Sequence, residues 1–232
     1  MFVKINNASL FLFLSFLAIV ACNNDENIPL ATGDQFVPWE VGLFHEYEIG
    51  ELRYTNDILV LDTTFYLREE VVESLINAQD SVYVIYQYTR ANLADDWSYF
   101  DTWQARINNQ QLIVTEGNTP FVKLTFPIFA GKIWDGNSQN QLEEDNYQLD
   151  SLYFPYTIND QQFESTITVV QNDNEDFIVQ QDRRFEVYAL NVGLIYSEEL
   201  LYSYCTDDNC LGQQQIENGT FRTQSIIDYG KD

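Results

Sequence analysis

The sequence predicts a mainly β protein, a single domain of antiparallel meander strands forming a strongly curved sheet or incomplete barrel, with little helix. Three observations carry that prediction. Apolar and polar residues alternate with the two-residue period of a half-buried strand. Strand-like runs recur at about 8–12-residue spacing with Asn, Asp and Gly turns between them, the rhythm of barrels and sandwiches rather than of βαβ units. Aromatic residues are abundant, 15 Tyr, 16 Phe and 4 Trp against 10 Gly and 5 Pro, which suits pleated surfaces.

Residues 1–21 read as a secretory signal: Lys4, an apolar run from Leu10 to Val20, then the small Ala21. That run is too short to span a ~30 Å hydrocarbon core as a helix. Ile19-Val20-Ala21-Cys22 matches the bacterial lipobox, so Cys22 is expected to become the lipidated N-terminus of the mature chain. At ~0.8 kcal/mol per buried CH₂, two or three acyl chains hold a protein on a bilayer. Residues 22–38 are polar, with Pro29, Gly33 and Pro38 and no apolar period, and read as a flexible tether. Residues 39–232 are left as the folding unit.

The strands then follow in order. Val41, Leu43, His45, Tyr47 and Ile49 share one face of the first, with Phe44, Glu46 and Glu48 on the other. Ile58–Ile76 carries both a β-branched strand signal and a helical stripe. Strand is preferred, because Asn77–Asp80 then turns into the β-prone Ser81–Tyr88. After an Ala91–Asp96 loop come Trp97–Ile107, Gln111–Thr115 and Phe121–Phe126, separated by turns at Asn108-Asn109 and Gly117-Asn118. Trp134 begins a polar loop that runs to about Asn146. Tyr147–Ile158 and Phe163–Gln171 form a hairpin around Asn159-Asp160, and Asn172–Asp176 turns again. Phe185–Ala189, Val192–Tyr204 and Thr220–Asp228 supply the last strands. No 20–50-residue repeat is visible.

Charge excludes one class of function. The chain carries a net charge of −25, and removing Lys4 with residues 1–21 makes it −26. A nucleic-acid partner is therefore not expected, because phosphate contacts need Lys and Arg. Of three cysteines, Cys22 is assigned to lipid. Cys205 and Cys210 are expected to form a disulfide in an oxidising compartment, a clasp on a turn that closes a short loop. A metal site would need ligands that the single histidine does not supply nearby, and no metal or other cofactor is expected.

Phe126-Pro127 with Gly131-Lys132-Ile133-Trp134-Asp135-Gly136-Asn137, and Phe185-Glu186-Val187-Tyr188-Ala189 with Val192-Gly193-Leu194-Ile195-Tyr196, resemble phrases of uncharacterised outer-membrane lipoproteins from Bacteroidota. The second phrase also resembles, more weakly, proteins with the half-barrel of lipoprotein-localisation factors, in which a curved antiparallel sheet wraps apolar ligands or partners. The resemblance implies an envelope location, an outer-membrane lipoprotein facing the periplasm or the surface, and supplies no catalytic residues. Both phrases read as structural, with Gly193 permitting a bulge or a close backbone approach. Asp25 and Glu26 resemble the acidic export tag of such lipoproteins. Asp62-Thr63-Thr64, Asp80-Ser81-Val82 and Asp150-Ser151-Leu152 resemble the O-glycosylation sequon of that phylum, which makes Thr63, Ser81 and Ser151 candidate sites.

Catalytic candidates are few. His45 is the sole histidine, its neighbour Glu46 points to the opposite face, and no Gly-x-Ser-x-Gly elbow exists. A hydrogen-bonded core or rim histidine is expected instead. Asn172-x-Asn174-x-Asp176 starts like a calcium loop, but Phe177 replaces the required glycine and Arg183 the terminal glutamate. Trp97, Trp103 and Trp134 fall near strand ends, as candidate ligand-contact aromatics or as core. The expected function is a non-enzymatic binding or interaction module anchored to the membrane through Cys22. Two alternatives are a carrier shielding an apolar ligand, and an acid-dependent glycan hydrolase using two of the 36 acids.

Overall fold

A computed structural model describes residues 32–77 and 80–231. Twelve strands run as β1 (Leu43–Thr55), β2 (Ile58–Ile76), β3 (Asp80–Arg90), β4 (Ser98–Asn108), β5 (Gln111–Glu116), β6 (Thr119–Thr125), β7 (Ile133–Asp135), β8 (Asn146–Ile158), β9 (Gln161–Asp176), β10 (Gln180–Ala189), β11 (Gly193–Tyr204) and β12 (Ile216–Lys231). They form one sheet in the order β6-β5-β4-β3-β2-β1-β12-β11-β10-β9-β8-β7, and every pairing is antiparallel. Apart from the β1–β12 pairing, every neighbour in the sheet is also a neighbour in sequence, which is the expected meander. The only helical element among the described residues is a 3₁₀ turn at Asp34–Phe36.

The sheet curls until its two edges, β6 and β7, meet. The Val122 N–H donates to the Gly136 carbonyl at 2.9 Å. The Trp134 indole donates to the Val122 carbonyl at 2.8 Å, and the Asn140 amide to the Pro120 carbonyl at 2.9 Å. These bonds occupy backbone groups that an open sheet edge would leave unpaired. Gly136 allows the seam, because the Tyr147 ring lies where a Cβ would be.

Three details depart from expectation. Ile133–Asp135 is a short strand rather than the entry to a loop, since it pairs with Asn146–Gln148. Asn172–Asp176 is no turn: it continues β9, pairing with Gln180–Arg184, and the reversal comes at residues 177–179. The segment read as a tether up to Pro38 is, over its described part, packed. Phe36 and Val37 are buried in the main core with Ile128, Leu112 and Leu124, and the Asn191 N–H donates to the Gln35 carbonyl. Two adjacent apolar residues among polar ones carry no period, but together they close one end of the barrel.

A second core cluster gathers Tyr47, Ile49, Leu67, Phe163, Val187, Ile195 and Ile226. The β8–β9 hairpin tip reaches past β10 and β11 to β12, where the Asn159 and Gln161 amides donate to the Ile226 and Ile227 carbonyls, both at 3.0 Å. The Cys205–Cys210 disulfide is formed, in the β11–β12 connection.

Candidate functional site

Inward-facing positions of the wall leave a cavity of about 160 Å³ inside the barrel, and a wider recess of about 640 Å³ opens beside it. The cavity is lined by aromatic side chains, Trp39, Tyr47, Phe185 and Tyr188, and by an unusual set of ionisable ones, Glu69, Glu116, Lys123, Glu186 and Arg222. The recess is bounded by Phe65, Phe100, Gln87, Thr89 and Arg90, with Asp95 and Asp96 from the β3–β4 loop. Trp103 and Arg222 line both spaces. Glu69 of the cavity and Gln87 of the recess are joined by a 2.8 Å hydrogen bond from the Gln87 amide. Cavity and recess are thus two compartments of one site, divided by the Glu69–Gln87 contact, Trp103 and Arg222.

The Lys123 side of the cavity is charge-matched. Its ammonium sits 2.9 Å from Glu116 and 2.8 Å from Glu186, and the Tyr188 hydroxyl donates to the other Glu186 oxygen at 2.5 Å. Burial alone would pull the lysine down, yet the two carboxylates outweigh it and hold the ammonium well above its ordinary range. Burial beside Glu186 likewise pushes the Tyr188 hydroxyl up. Lys123 reaches this position through a β-bulge: Leu124 pairs with Leu112 but Val122 with Ile113, so Lys123 is the extra residue. A bulge re-aims a side chain in this way.

Among the described residues, Glu69 has no such counter-ion within bonding distance. Its accessible surface faces the cavity, and burial pushes its carboxyl up to about 7, against the opposing pull of the Gln87 amide. Protonated and ionised forms of Glu69 are therefore both populated near neutral pH. The amide nitrogen of Gln171, which also lines the cavity, is buried without a partner among the described residues.

His45 is 5% exposed and its Nε2 lies 2.7 Å from the Val192 carbonyl, an acceptor, so Nε2 carries the proton. Burial lowers its pKa, which leaves the ring neutral. Gly193, at φ +112°, passes close to that ring, and a Cβ there would lie 3.4 Å from Nε2. The close backbone approach read from the sequence is this contact.

The three tryptophans separate. Trp134 is buried against Tyr147 and its indole ties the barrel seam, so it is a structural residue. Trp103 stands in the wall between cavity and recess, its indole donating to Asp101 at 3.2 Å. Trp97 lies under the Arg90 guanidinium, 4.0 Å from the ring centroid, and so backs a residue of the recess. Thr63 on β2, Ser81 on β3 and Ser151 on β8 are all half-buried strand residues. Cys22 and the lipobox lie outside the described residues.

Lys123, Glu186, Glu69, Gln87 and Arg222 were not singled out from the sequence. One signal was present: Glu69 continues the apolar face Phe65, Leu67, Val71, where an acid is out of place. Lys123 gave none, because its inward aim depends on the bulge.

No protein-family model matches the chain, and no curated protein matches it. Among solved structures it is similar to a "putative exported protein with YmcC-like fold" from Bacteroides fragilis, at 12% identity over 82% of this chain and 98% of that one, TM-score 0.42. It is also similar to a "putative lipoprotein" from Parabacteroides distasonis, at 10% identity over 86% of this chain and 99% of that one, TM-score 0.42.

Proposed function

We propose that the protein is an outer-membrane lipoprotein, anchored through Cys22, that binds an amphipathic small molecule or chain without transforming it. The observation that carries this reading is the two-compartment space inside the barrel. Its wider part, about 640 Å³, falls in the usual range of ligand sites, ~300–1,000 Å³. Phe65, Phe100 and Trp103 offer apolar contact there, while Gln87 and Arg222 offer polar ones. A wall carrying so many charges favours a ligand with a polar end over a wholly apolar one. Glu116 and Glu186 are not free to act as a hydrolytic carboxylate pair, because the Lys123 ammonium bridges them.

The test is native mass spectrometry of the full chain extracted from its own membranes. Wild type should carry a non-covalent adduct that is recovered chemically unchanged. Thr89→Trp, which fills the recess, should lose it. Absence of an adduct from wild type, or its retention in Thr89→Trp, overturns the proposal. Cys22→Ala should move the protein out of the membrane fraction, and unchanged fractionation refutes the anchor.

A further inference from the structure

Three hairpin ends stand together at the end of the barrel opposite the one closed by Phe36 and Val37. The register places them in one row: Asp176 pairs with Gln180, Gln180 with Ser203, Ser203 with Asn218, Gly219 with Tyr54, and Tyr54 with Leu59. Two backbone bonds tie the row into one rim. The Tyr204 N–H donates to the Val179 carbonyl, and the Asp57 N–H to the Glu217 carbonyl. On this rim, consecutive large apolar residues are exposed: Ile58, Leu59 and Val60 at one hairpin, Phe177, Ile178 and Val179 at another, with Leu211 in the disulfide-clasped connection between them. Strand alternation would bury every second one of them, yet all are open to solvent. Concentrations of exposed apolar surface mark interaction sites.

Charge and position indicate the occupant. Asp57, Asp176, Asp207, Asp208 and Glu217 are exposed among the apolar tips. The basic residues of the same strand ends are already engaged, Arg53 with Glu51 and Arg183 with Glu175 and Glu198. A second copy would bring two acidic rims together, and an anionic bilayer would be repelled in the same way. The chain enters the barrel at the far end. Nine residues, 23–31, separate Cys22 from the described fold and span at most ~35 Å. β2, with 19 residues, runs about 60 Å along the wall at ~3.3 Å per residue. An anchor at Cys22 thus leaves the rim free to face away from the leaflet.

We propose that this rim docks a second envelope protein, through a patch on that protein that is apolar at its centre and ringed by Lys and Arg. The direction of the rim rests on the Cys22 anchor; the surface itself does not. The experiment places a photoreactive phenylalanine analogue at Leu59, at Ile178 and, as a control at the opposite end, at Phe129, in the full lipidated chain in intact cells. Adducts from Leu59 and Ile178 should map to one patch on one envelope protein, and that patch should carry Lys and Arg. Their yield should fall at least five-fold at 0.5 M salt, and Phe129 should not give them. Adducts to lipid, to a second copy or to scattered proteins overturn the proposal, as does a lack of adducts. Membrane fractionation of the same variants reads the anchor separately, so the two readings fail distinguishably.

Discussion

The two sides of the inner cavity solve the same electrostatic problem differently. On the β5–β6–β10 side, the buried Glu186 and the partly buried Glu116 flank one ammonium, and each charge has a partner at hydrogen-bonding distance. On the β2–β3 side, Glu69 is enclosed and, among the described residues, bonds the Gln87 amide alone. Lys123, held by its partners, keeps its charge through the neutral range, and Glu69 becomes the group that titrates there. The cavity therefore has a fixed wall and a pH-responsive wall, and Arg222 is the basic residue that lines both the cavity and the recess.

The strongest way to break this contrast is Lys123→Met. It keeps most of the side-chain volume but leaves Glu116 and Glu186 facing each other without a counter-ion. Removing one partner of a buried ionic set costs about 3–5 kcal/mol, so the urea midpoint should fall sharply. Adding Glu186→Gln should recover part of the loss, because it removes one of the stranded charges. A neutral effect of Lys123→Met alone would show that the wall is not electrostatically fixed.

Glu69→Gln tests the other wall. The folded carboxyl titrates at about 7 against an ordinary 4.5, so the folded state holds the proton more tightly than the unfolded chain does. Its contribution to stability is full below about 4.5 and is lost as pH rises through about 7, by on the order of 3 kcal/mol. The glutamine still accepts from Gln87 and never ionises. The variant should therefore gain stability over wild type progressively between those pH values. Parallel stability–pH curves for the two proteins would overturn the assignment.

Much of the fold was legible because two-residue alternation and turn chemistry are local. β2 shows this: its helical stripe competed with the strand signal, and pairing with both β1 and β3 decided for strand over all 19 residues. What local reading missed depends on distant partners. Phe36 and Val37 become core only once the barrel offers an end to close. β7 is three residues long and exists through its pairing with β8 and the seam to Val122. The candidate site was less legible still. Strict alternation would place Lys123 opposite Val122 and Leu124, and the bulge that turns it toward Glu186 leaves no mark in the sequence.

That bulge lies at the barrel seam, which yields the smallest predicted effect and the sharpest comparison. Trp134→Phe keeps a buried ring beside Tyr147 but deletes the indole donor to the Val122 carbonyl, a loss of about 1 kcal/mol before the smaller ring's packing is counted. Val122 precedes Lys123, so loosening the seam should act on the fixed wall alone. Amide exchange at Val122, whose N–H is bonded to Gly136, should quicken about five-fold, the equivalent of that free energy in a local opening. Exchange in β2 and β3 around Glu69 and Gln87 should not change, nor should the pH dependence that Glu69 sets. If both walls loosen together, the seam acts on the whole barrel, and the separation between a fixed and a titrating side fails.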